Sequence, residues 1–153
     1  MAGTCLNAAR LEEARVTQVV KDVKLGSPQA APRRVAVGES FRDGDAINTG
    51  VTGRSELTFA DQTIARLGAK TNVSFSNGTR TVDLGEGAML FQIPKGAGRL
   101  KIEAAAIAVA STGATAIIER HGQFYVKVLV LEGTYVPLAM RFACFCSSDS
   151  IKR

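Results

Sequence analysis

Polar and apolar residues take turns along this chain in short runs, each closed by a turn. From Ser55 to Phe59 (SELTF), Leu57 and Phe59 fall on one face and Glu56 and Thr58 on the other. Ala60, Asp61 and Gln62 then reverse the chain, and residues 63–67 return as a second strand, although Ile64 and Leu67 fall on opposite faces. Residues 15–20 (RVTQVV) and 23–25 also read as strands, being rich in β-branched side chains. Further strands are predicted over 35–37, 72–75, 79–84, 89–93, 100–102, 107–110, 115–119 and 124–131.

The turns between them have their own signatures. Asp43-Gly44 supplies the positive φ of a tight reversal, and Ser76-Asn77-Gly78 reads as a hairpin turn. Residues 95–98 (KGAG) form a flexible turn, and reversals are expected at Gly113 and at His121-Gly122. Two prolines and a glycine within residues 26–32 leave room only for a loop. Residues 11–14 have the makings of one helical turn. The alanine-rich run 104–110 has helix propensity, but its strand neighbours predict strand or irregular structure. Glu86-Gly87-Ala88-Met89-Leu90 is echoed by Glu132-Gly133-Thr134-Tyr135-Val136, as though a glycine launches a strand twice. The pattern predicts an all-β single domain of many short strands, in a β-solenoid-like or sandwich arrangement.

Composition narrows this picture without redirecting it. At 153 residues the chain is one domain by length and can bury roughly 70% of its unfolded surface. Tryptophan is absent and aromatics are 6%, so the core falls to Val, Leu, Ile and Ala, which suits thin layers of strands. The net charge of +5 is scattered; Arg33-Arg34 and Lys152-Arg153 are the adjacent basic pairs, and no basic run is interleaved with aromatics. No nucleic-acid partner is expected on that pattern. No stretch reaches the length of a membrane-spanning helix, since residues 104–118 are too short and are interrupted by Ser111, Thr112 and Gly113.

The N-terminus lacks a signal peptide's charged start and long apolar core, yet residues 2–9 are small and weakly apolar, as the end of a leader would be. Residues 1–14 are therefore read as a leader remnant or flexible N-terminus, and 15–138 as the domain. Residues 139–153 are read as a divergent, poorly ordered tail. Cys5, Cys144 and Cys146 make an odd count with none in the body, so no disulfide framework is predicted.

Candidate chemistry is sparse. His121, the only histidine, sits in a turn and reads as an exposed loop residue rather than a catalytic base. It is also too few imidazoles for a four-ligand metal site with the C-x-C pair of Cys144 and Cys146. Asp43 and Asp45 are not followed by ligands at calcium-loop spacing, so they read as turn formers. Gly85, Gly87, Gly96 and Gly98 match neither dinucleotide nor phosphate loops, and Val126, Val128 and Val130 read as strand core. No enzyme, cofactor or metal is expected.

Taken in order, Gly44-Asp45, Thr49-Gly50, the Gly53-to-Phe59 run with Leu57 and Phe59, Asp61-Gln62-Thr63, and Leu67-Gly68 resemble the signature of the FecR domain. The likeness continues through Gly85-Glu86-Gly87, Thr112-Gly113-Ala114-Thr115 and Leu131-Glu132-Gly133, so that it spans residues 15–136. The resemblance implies an extracytoplasmic all-β module, periplasmic or secreted. In well-known members it is the part of a membrane-embedded regulator that receives a signal from an outer-membrane transporter. A cytoplasmic segment of such regulators controls a sigma factor. This chain carries no such segment or span, and Gln62 replaces the usual turn glycine, which predicts a reversal looser than type I′.

The reading is therefore a non-catalytic binding or sensing module with a protein partner in the cell envelope, engaged through strand edges or loops. A structural or polysaccharide-associated envelope protein, and a truncated anti-sigma regulator of iron-uptake type, remain the alternatives. The motif residues Gly44, Asp45, Thr49, Gly50, Leu57, Phe59, Asp61, Gly68, Gly87, Gly113 and Gly133 are read as fold-makers.

Overall fold

The computed structural model describes residues 13–76, 81–97, 100–104, 107–122, 125–139 and 143–147. Among them the chain is all-β, with thirteen strands. These are β1 (Glu13–Val20), β2 (Val23–Ser27), β3 (Ala30–Arg34), β4 (Ser40–Arg42), β5 (Ala46–Thr49), β6 (Arg54–Phe59) and β7 (Ile64–Leu67). They continue as β8 (Asn72–Ser76), β9 (Thr81–Gln92), β10 (Leu100–Ala104), β11 (Ile107–His121), β12 (Tyr125–Ala139) and β13 (Ala143–Ser147).

Hydrogen bonding joins the strands into one network that folds over into two layers. One layer runs β4-β1-β6-β7 and on through the later half of β9, the later half of β11, the earlier half of β12, and β13. The other runs β3-β2-β5-β8 and on through the earlier half of β9, β10, the earlier half of β11, and the later half of β12. The arrangement is thus a sandwich whose two sheets share three long strands.

Alternation explains the core. Ser55, Leu57 and Phe59 of β6 point inward, as do Ala65 and Leu67 of β7, Met89 and Phe91 of β9, and Val126, Val128 and Val130 of β12. The opposite layer contributes Val23, Leu25, Ile47, Val73, Phe75, Val82, Leu84, Leu100 and Ile102. The layers meet at Phe75 of β8, whose ring lies 5.5 Å from that of Phe59 and 6.0 Å from that of Phe41. The difficulty of placing Ile64 and Leu67 on one face disappears, because Ala65 and Leu67 are the inward pair and Ile64 faces out.

Three expectations are corrected. The 26–32 loop is a hairpin: β2 runs through Gly26 to Ser27, and β3 starts at Ala30 and accommodates Pro32, because β3 pairs on one side only and an edge strand tolerates a missing donor. Residues 35–37 are not a strand; the strand precedes them, and 35–39 link the two layers through Val35 N donating to Val23 O and Val16 N donating to Glu39 O. Gly113 does not reverse the chain. It bends β11, which continues as one strand of 15 residues.

The helical turn expected over 11–14 is strand at its described residues, 13 and 14. Residues 11–12, 77–80, 98–99, 105–106 and Cys5 lie outside the described residues. Within the stretch read as a tail, β13 pairs in parallel with β12, with Cys144 opposite Lys127 and Cys146 opposite Leu129.

Candidate functional site

The bends of the long strands explain the Glu-Gly echo. Gly87, Gly113 and Gly133 all have positive φ, at 94°, 61° and 91°, in β9, β11 and β12. The β11–β12 register shifts on either side of Thr115, as bulges do when they turn a strand from one sheet into the next. A Cβ on Gly133 would collide with the carbonyl of Gly113 and lie 2.6 Å from Ala114 Cα. Only glycine allows the two bends to stack.

The motif residues before these bends converge on a residue the sequence did not single out, Thr71. Its Oγ1 accepts from Ala88 N at 3.1 Å and lies within bonding distance of the carbonyls of Ala88 and Ala69. Thr71 N donates to Thr49 Oγ1 at 2.8 Å, and Thr49 Oγ1 donates to Gly68 O at 2.6 Å. Gly68 N in turn donates to Ala88 O at 2.9 Å. A Cβ on Gly87 would collide with Thr71 Oγ1 and lie 2.6 Å from Thr71 Cα. Thr49, Gly68 and Gly87 are thereby joined into one buried polar knot between layers. Thr71 sits in a polar stretch (AKTN) that reads as turn, and no periodicity marks it as buried.

The remaining motif residues hold turns or core. Gly50 N donates to Asp22 O at 2.8 Å, and a Cβ on Gly53 would collide with that same carbonyl. Gly44, at φ 83°, donates to Phe75 O, while Asp45 Oδ2 accepts from Arg42 N at 2.9 Å and closes the turn. Asp61 Oδ1 accepts from Thr63 N at 3.0 Å. Gln62 takes φ 69° in a three-residue loop, where Gln62 N donates to Phe59 O and Phe59 N to Thr63 O. Leu57 and Phe59 are buried core.

His121 ends β11 in an exposed hairpin, 3.6 Å from a Glu119 carboxylate oxygen and 5.8 Å from the Tyr125 ring. Among the described residues no group of three or more His, Cys, Asp or Glu side chains is placed to hold a metal. No helix among the described residues is long and apolar enough to cross a membrane.

The surface that stands out lies on the flank where both layers end in edge strands, β3 in one and β4 in the other. Every residue of β3 is exposed, which is unusual for a strand, since one face normally covers core. Beside it lies a groove of about 500 Å³ bordered by Pro28, Ala31, Arg33, Glu39, Arg42 and Asp43. The Arg33 guanidinium pairs with Glu39 at 2.8 Å, and this bond holds the Glu39 carboxyl below the usual carboxylate range. Glu39 Oε1 also accepts from Ala36 N at 3.2 Å, so the groove wall is fixed by a charged pair tied to backbone. The sequence marked this region through the Arg33-Arg34 pair and the Asp43-Gly44-Asp45 turn, and neither signal shows a groove.

No characterised protein compared with the chain matches it, and no solved structure does. A family model described as FecR protein matches residues 45–134, more than half of the chain. That span runs from the Asp45 turn through the Thr49–Thr71 knot and the bends at Gly87, Gly113 and Gly133, and the chain belongs to the FecR family.

Proposed function

We propose that this chain is a non-catalytic binding or sensing module of the cell envelope, and that a protein partner docks on the β3–β4 flank. The observation that carries this is β3 itself. A five-residue strand with neither face covered adds nothing to the core, yet it is held in register against β2 and borders a groove with a fixed charged wall. Pro32 removes a backbone donor from its middle, which discourages indiscriminate strand pairing. Docking here therefore uses the groove and the exposed Arg33, Arg34 and Arg42 side chains, with strand pairing limited to the ends of β3.

Membership of the FecR family supports an envelope signalling role in the periplasm, with a sigma-factor regulator as the wider context. The reading is tested by placing a photo-crosslinking residue at Ala31 or Arg34 and, as a control, at Gln92 on a distant strand, in cells. Crosslinks to one envelope protein from the β3 positions alone support it. Equal crosslinking from Gln92, or none from β3, contradicts it.

A further inference from the structure

A different end of the sandwich carries a feature that neither the motif nor the flank uses. The β1–β2, β5–β6 and β7–β8 turns meet there, knitted by Gly50 N donating to Asp22 O at 2.8 Å and Lys70 N donating to Gly50 O at 3.0 Å. Three exposed cations lie there: Lys21 and Lys70 within their turns, and Arg54 as the first residue of β6, just after the β5–β6 turn. None of the three has an ion pair among the described residues. Their basic neighbours differ, because Arg66 is held by Glu56 at 2.8 Å and Arg120 donates to the Leu84 carbonyl at 3.0 Å.

Lys21 and Lys70 also occupy positive φ, at 57° and 50°, where glycine or asparagine fits with less strain. Between the turns lies a depression of about 520 Å³ lined by Gln18, Val20, Lys21, Val51, Arg54 and Ala69. At its rim Val51 is 72% exposed, more than any other large apolar side chain described. Asp22 is the one acid within these turns, and Glu86 and Glu119 lie beyond Lys70.

We infer that this end rests on an anionic phospholipid surface, with Lys21, Arg54 and Lys70 meeting headgroup phosphates and Val51 entering the interface. The geometry favours a surface over an acidic peptide. The cations come from three different connections around the depression that Val51 borders, which a plane of phosphates meets at once, whereas an extended peptide follows a single edge. The proposal rests on residues distinct from the β3–β4 flank and stands or falls separately from the protein-docking reading.

Flotation of the full chain with phosphatidylcholine vesicles, with and without phosphatidylglycerol, tests it. Binding is expected only with the anionic lipid and weakens as salt rises. Each single change among Lys21→Gln, Arg54→Gln and Lys70→Gln is expected to weaken partitioning about fivefold, and the triple variant roughly a hundredfold. Val51→Ser weakens it further. A control triple variant, Arg15→Gln with Lys24→Gln and Lys95→Gln, has the same net charge and is expected to bind as the parent does. Circular dichroism confirms that each variant keeps its strands, and the single variants carry the test if the triple does not fold. Equal binding to neutral vesicles, no binding to anionic ones, or equal losses in the turn and control variants overturns the proposal. So does tighter capture of polyglutamate than of vesicles.

Discussion

Around Thr71, three separated stretches of chain close on one another through buried hydroxyls, carbonyls and glycines; along β3, no side chain is covered on either face. The first region contains the motif residues Thr49, Gly68 and Gly87, and the second contains none. The motif residues around Thr71 thus tie separate stretches of chain together, while the others hold turns or core. The exposed strand β3 lies outside them. In this sandwich the buried motif residues build the fold, and an exposed edge strand is where a partner is proposed to bind.

The largest losses of stability are expected at the bends. Gly87→Ala and Gly133→Ala each force a Cβ onto backbone at positive φ, and each is expected to lower stability by about 2–4 kcal/mol, read by urea or thermal unfolding. Thr71→Val comes next. It keeps the shape and the Thr71 N to Thr49 Oγ1 bond but leaves Ala88 N without its hydroxyl acceptor, at about 1–3 kcal/mol. Thr63→Val sharpens that case, because Thr63 Oγ1 is buried without a hydrogen-bond partner, and the same change there is expected to be neutral or stabilising in the same unfolding assay. Gln62→Gly removes a left-handed side chain and is expected to stabilise by about 1 kcal/mol, less the entropy glycine adds to the unfolded chain.

The smallest effect is electrostatic. Glu56 is held below its usual pKa first by the Arg66 guanidinium and then by the Thr17 hydroxyl, and Glu39 is held down by Arg33. Both folded pKa values lie below the unfolded ones. The stability they contribute is therefore present above the ordinary glutamate value of about 4.3 and lost as pH falls through the folded values. An Arg66→Gln variant is expected to lose about 0.5 kcal/mol near neutral pH and to show a shallower acid slope in unfolding measured across that window.

Much of this was legible in the chain. Alternation placed Leu57 with Phe59 and the three valines of β12, and short-range turn chemistry placed the reversals at Asp43-Gly44 and Ala60-Asp61-Gln62. Thr71 was not, because its role comes from partners 17 and 22 residues away and not from its own neighbours. Gly113 was misread for a related reason. A glycine at positive φ looks the same in sequence whether it reverses a strand or bends it, and pairing with β9 and β12 decides which. The β3 strand was hidden by Pro32, whose veto on regular structure lapses at an edge.

The knot around Thr71 holds the fold together, and the β3 flank is the docking surface proposed above. Amide hydrogen exchange, with and without the protein crosslinked from Ala31, addresses both halves at once. Exchange is expected to slow over residues 30–34 and 39–43 when the partner is added, while Thr71 and Ala88 exchange slowly in both states and do not change. Protection that spares β3 and appears instead at the knot, or around the bends at Gly113 and Gly133, contradicts it.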